Sequence, residues 1–231
     1  MQISRLLLIV APVILATTVM HPANAQSLAG PHYGNHATVA AAALADQTKI
    51  ADQTKINTTR AILRDLWIGH IFWVRNVVVA EFAGDAVEQK SAENQVVANA
   101  HALAASIEPF YGAKAKDQFF ILLASHYGAV KAYLDASIAA DPGKQSEATA
   151  KLLSNAAQIA VFLSTANPYL PKDVVEELLQ AHGGHHISQI QQLQAKDYEG
   201  EAETWAAMTQ HMYVIADATA GAVAHQFPEK F

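Results

Sequence analysis

From Thr58 onward the apolar residues recur at helical rather than strand spacing: Ile62, Trp67, Ile71, Val74 and Val78 open the series, and no two-residue alternation persists after them. That period belongs to amphipathic helices with one face turned to a core. Turn-forming clusters interrupt it at Gly84-Asp85, Pro109 to Gly112, Asp141-Pro142-Gly143, Asn167 to Pro171, Asp197 to Gly200 and Gln226-Phe227-Pro228. Glycine and proline end helices for backbone reasons, and an aspartate just after a break is suited to cap the next helix. The pattern predicts an all-α chain of six helices.

The breaks are themselves periodic. Asp85, Asp141 and Asp197 stand 56 residues apart, and the same step relates Leu66, Leu122 and Leu178; His70, His126 and His182; and Asn99, Asn155 and His211. Coincident registers at one spacing point to three helical hairpins of about 56 residues, each burying its apolar face against the others. A six-helix bundle over residues 58–231 is the expected architecture, closed rather than open, because no terminal hairpin has the polar outer face of a solenoid cap.

The chain ahead of the bundle reads differently. Arg5, the apolar run from Leu6 to Met20 and the small residues Ala23-Asn24-Ala25 follow the order of a secretory signal peptide, so residues 1–25 are expected to be removed and the protein to be periplasmic or secreted. No further uninterrupted apolar stretch is of spanning length, and no membrane partner is expected after cleavage. Residues 26–57 are polar and alanine-rich, ending in the duplication Ala45 to Ile50 and Ala51 to Ile56, and are expected to be partly disordered and to bury little. The chain has no cysteine, which excludes disulfides, thiol catalysis and thiolate metal sites. A net charge of −6 without clustered Lys or Arg argues against nucleic acid as a partner.

The repeated histidines carry the candidate chemistry. In each hairpin the paired positions, His70 with Asn99, His126 with Asn155 and His182 with His211, lie equally far from the turn, so each pair sits at one height. Their neighbours three and four residues away are mostly apolar, which turns them inward as one polar layer. A buried imidazole needs a partner at each nitrogen: another member of the layer, a water or a metal. One reading is a transition-metal site, for zinc, copper or iron, held by His70, His126, His182 and His211 with Asn99 and Asn155 behind them. The other is a non-enzymatic structural or interaction protein, with an unidentified protein partner, whose layer only sets helix register.

Carboxylates are too scarce on these faces for a dimetal carboxylate site. Arg75 and Asp217 are inward-looking charges expected to pair between the first and last helices. The run His182-Gly183-Gly184-His185-His186 is a second candidate metal locus: its two glycines favour a break or bend that frees His185 and His186 toward solvent, either as a solvated break with adventitious metal affinity or as a metal-uptake patch. Neither a phosphate-binding loop nor a nucleophile elbow is present, so no reaction is named.

The string Leu66-Trp67-x-x-His70-x-x-Trp73-Val74-Arg75, with Pro109-Phe110-Tyr111-Gly112, Asn155-x-x-x-Ile159-Ala160-x-Phe162-Leu163, Asn167-Pro168 and Gln226-Phe227-Pro228-x-Lys230-Phe231, resembles a widespread family of small bacterial helical proteins of uncharacterised function. The resemblance spans nearly all of the chain after Thr58 and implies a helical-bundle fold without a mechanism. The labels glycosyltransferase and acetylglutamate kinase carried by some members find no support in these residues. Gly183 to His186 departs from that family's more apolar pattern.

Overall fold

The computed structural model describes residues 52–231; the expected signal peptide and most of the 26–57 lead-in lie outside the described residues. Six α-helices follow one another: α1 (Gln53–Ala83), α2 (Ala86–Tyr111), α3 (Ala113–Ile138), α4 (Pro142–Ala166), α5 (Lys172–Ala195) and α6 (Tyr198–Gln226), with a closing 3-10 turn at Pro228–Lys230. The six turn clusters expected from the sequence all fall at helix boundaries. The all-α bundle is thus the observed class.

The three hairpin turns are built alike. Asp85, Asp141 and Asp197 cap α2, α4 and α6, their side chains accepting from backbone N–H groups of the first turn. The residue before each aspartate is left-handed: Gly84 at φ 72°, Ala140 at 50° and Lys196 at 58°. From it and its successor, paired N–H bonds run back to the preceding helix, for example Gly84 N to Glu81 O and Asp85 N to Ala80 O. This is the Schellman arrangement, which satisfies the orphan carbonyls of a helix end.

Packing sorts the helices into two shells. The first helices of the hairpins, α1, α3 and α5, touch one another at the centre. The second helices lie outside, with α2 between α1 and α3, α4 between α3 and α5, and α6 returning from α5 to α1, so the bundle closes. Two apolar clusters fill it, one around Trp67, Leu103, Phe119, Leu122, Leu179 and Met212, the other on the turn side around Val74, Val78, Val130, Leu134 and Ile190. Length and composition alone would let α1 cross a membrane; in the bundle its apolar residues Leu63, Trp67, Ile71, Val74 and Val78 are buried, while Ile62 is exposed.

The bundle begins earlier than the apolar pattern suggests. Asp52 caps α1, and the second copy of the duplicated hexapeptide runs into that helix. Its Ile56 is fully buried against Val223, Ala224 and Phe231, where Phe110 stacks on the C-terminal Phe231 at 5.8 Å. The polar neighbours of Ile56 hid that contact, because only one residue of this turn faces the core.

Candidate metal centre

At mid-height the inner helices bring four imidazoles together: His70 from α1, His126 from α3, and His182 with His186 from α5. All four are 4% exposed or less. Each offers a ring nitrogen, and the four nitrogens lie within 4.8 Å of one another. The six distances between ring centres run from 4.5 Å for His182–His186 to 6.0 Å for His70–His126 and His126–His186. With metal–nitrogen bonds of about 2.0–2.1 Å, tetrahedral imidazoles place their nitrogens about 3.3 Å apart and ring centres about 5 Å apart. The observed spread brackets the second value, and His182 Nε2 and His186 Nε2 already stand 3.2 Å apart.

The rings are only partly satisfied as a hydrogen-bonded layer, in which the His182 Nε2–His186 Nε2 contact is one bond. His126 Nδ1 donates to Asn155 Oδ1 at 3.1 Å, a direction fixed because an amide oxygen can only accept. The lone pair of His126 is therefore on Nε2, and that nitrogen has no partner in the protein; neither do His70 Nε2 and His182 Nδ1. Apolar clusters lie on both sides. Trp67 sets its edge against His70 at 6.0 Å, and beyond it the core holds an apolar cavity of about 40 Å³ lined by Leu63, Trp67, Phe119, Leu178, Leu179 and Ile215 among others. That lining is apolar apart from Ser106 and Thr219.

This environment keeps the rings neutral. Burial pushes His70 down to about 3, with His126 adding to the shift, and burial pushes His126 down to about 4 against the opposing bond from Asn155. His182 is lowered well below the ordinary value by burial and then by His186, and His186 by burial and then by His70 and His126. At neutral pH all four imidazoles have lone pairs to offer, the protonation state that metal ligation requires.

The outer helices act from behind. Asn155 Nδ2 donates to Leu122 O at 3.0 Å, Asn99 Nδ2 to Leu66 O at 2.9 Å and His211 Nε2 to Leu178 O at 2.8 Å, one geometry recurring every 56 residues. Gly69 permits the Asn99 contact, since a Cβ there would stand 2.9 Å from Asn99 Nδ2. In this register an outer side chain reaches the backbone of its inner neighbour rather than the axis. For that reason His211, expected as a ligand, lies outside the tetrad, and Asn155 alone holds one of its rings.

His186 takes the fourth place. The expected break at Gly183-Gly184 does not occur: α5 runs unbroken through both glycines, and packing overrides their weak propensity. Continuity puts His182 and His186 on one face, four residues apart. That His-x-x-x-His spacing was the available signal, obscured by the glycines.

The expected tie between the first and last helices exists with other partners. Arg75 makes a bidentate pair with Glu201 at 2.6 and 2.8 Å, and Gln189 also donates to Glu201. The Arg75 guanidinium holds the buried Glu201 carboxyl below the usual carboxylate range. Asp217 instead pairs with Arg64 at 2.8 and 2.5 Å. With Asp217 level with Arg64, Arg75 stands eleven residues further along α1, roughly 16 Å away at helical rise, which rules out the Arg75–Asp217 pair. No protein-family model, curated protein or solved structure matches the chain, and the chemistry of the centre rests on its own geometry.

Proposed function

We propose that this chain is an exported metal-binding protein that holds one transition-metal ion, zinc, copper or iron, between His70, His126, His182 and His186. The observation that carries the reading is the convergence of four buried imidazoles, of which His70 and His126 leave Nε2 without a partner. A layer kept only for helix register gains nothing from leaving those nitrogens unbonded, at a cost of about 1–3 kcal/mol per group, whereas a bound ion engages one nitrogen of every ring. The donor set speaks to identity: neutral imidazole suits zinc, copper and iron, while magnesium and calcium need oxygen ligands that the centre lacks. Four protein ligands fill a tetrahedral shell, which fits holding or delivering an ion better than catalysis at an open position. The signal-like N-terminus supports an exported setting.

Elemental analysis of protein purified without a histidine tag tests the proposal. About one zinc, copper or iron per chain is expected, lost when His70, His126 and His182 are replaced together. A folded, metal-free protein whose melting temperature ignores all three ions overturns it. His126→Leu separates the two readings further: a register layer keeps its fold and loses only the bond to Asn155 Oδ1, about 1–3 kcal/mol, whereas the metal centre loses its ion.

A further inference from the structure

Two other histidines meet beside the tetrad, and both occur in the third hairpin only. At positions 56 residues apart, the first two hairpins carry Trp73 and Ala129 where the third has His185, and Asn99 and Asn155 where it has His211. The rings of His185 and His211 are 5.3 Å apart and inclined at 65°. That separation matches the roughly 5 Å between ring centres of two imidazoles sharing a tetrahedral ion. His211 donates through Nε2 to Leu178 O, which leaves its lone pair on Nδ1; His185 Nδ1 is buried without a partner. Asn99 and Asn155 make the same carbonyl bond without an imidazole, so the bond does not explain the ring.

We infer that His185 and His211 form a second transition-metal site on the flank of the buried centre, through which ions load it. The inference rests on the tetrad being a metal site. Both rings are half-buried, between solvent and the tetrad, and His185 lies one turn from His182 and next to His186 on α5. An ion reaching the tetrad must shed its water, and a two-histidine station with water completing the shell divides that loss into two steps. The transfer then runs along one turn of one helix. Gly184 keeps the approach open, since nothing lies within 4 Å of where its Cβ would be.

The sequence supplies its own control, the double variant His185→Ala/His211→Asn, which installs the residues of the second hairpin and retains a donor to Leu178 O. Cobalt(II), whose visible absorption reports imidazole coordination, is the probe. The wild type is expected to take one tight and one weaker ion. The double variant takes only the tight one, with unchanged final affinity and loading slowed about tenfold or more. Retention of the weaker ion, or loading at the wild-type rate, overturns the inference. His186→Val keeps the two proposals apart: if the tetrad reading is wrong, this variant leaves tight binding as it was; if only the loading site is wrong, His186→Val abolishes the tight ion while the double variant changes nothing.

Discussion

The first two hairpins and the third share a backbone plan but differ in what they bring to the middle of the bundle. Val74 and Val130 stand where the third hairpin has His186, Asn99 and Asn155 where it has His211, and Gln89 and Gln145 where it has Glu201. The shared positions make the turns, the carbonyl bonds and three of the four inward imidazoles. The departures add the fourth imidazole, the flanking pair with His185, and the anion that receives Arg75. Positions common to all three hairpins thus serve the fold first, and of those peculiar to the third only His186 joins the tetrad. A single histidine, His186 where the other hairpins have Val74 and Val130, adds a fourth imidazole to three facing rings and completes the set proposed to hold an ion.

Giving the third hairpin the valine of the others should have the largest effect. His186→Val removes one of four ligands and is expected to weaken metal binding by at least about 100-fold, beyond the loss of a supporting partner. The metal-free protein should lose about 1–3 kcal/mol, because His182 Nε2 loses its hydrogen-bond partner and its Nδ1 already has none. Competition titration and thermal melts read the two effects separately. Next comes Glu201→Gln, again the residue of the other hairpins. It leaves Arg75 without its charge partner and should cost roughly 1–3 kcal/mol in denaturant unfolding, limited by the partial exposure of Arg75.

Proton uptake sharpens the contrast between centre and flank. The folded values of the tetrad lie below the ordinary 6.5, so the unfolded chain binds protons that the folded chain refuses. Stability of the metal-free protein is therefore full above about pH 6.5 and falls as pH drops toward about 4, by up to about 1.4 kcal/mol per unit for each such histidine. While the chain stays folded, affinity at the tetrad should hardly change between pH 7 and about 5, because the rings are already deprotonated. Affinity falling steeply through pH 6.5 would mean ligands that titrate as exposed histidines do. The smallest effects belong to the turns. Ala140→Gly and Lys196→Gly give the second and third turns the glycine of the first, and each should add about 0.5–1 kcal/mol by relieving a left-handed residue with a side chain.

Much of this was legible in the residues, for identifiable reasons. Helix boundaries depend on local backbone chemistry, so Gly84, Pro142 and the three aspartates announced them. His70, His126 and His182 stood out because their spacing and apolar neighbours are one-dimensional facts. His186 stood out only as part of a histidine cluster and not as a member of the layer: whether α5 survives Gly183-Gly184 depends on cooperative packing, which propensity cannot weigh. Arg75 and Asp217 were read as partners because both face inward, but facing inward does not specify height.

Patterning along the chain dictates six helices, three similar turns and an inward ring of imidazoles, since these follow from periodicity and local capping. Which shell a helix joins is a different matter, settled by side chains far apart in sequence competing for the same core. That competition placed α1, α3 and α5 on the axis, sent His211 to a backbone carbonyl instead of the tetrad, and drew His186 in beside His182.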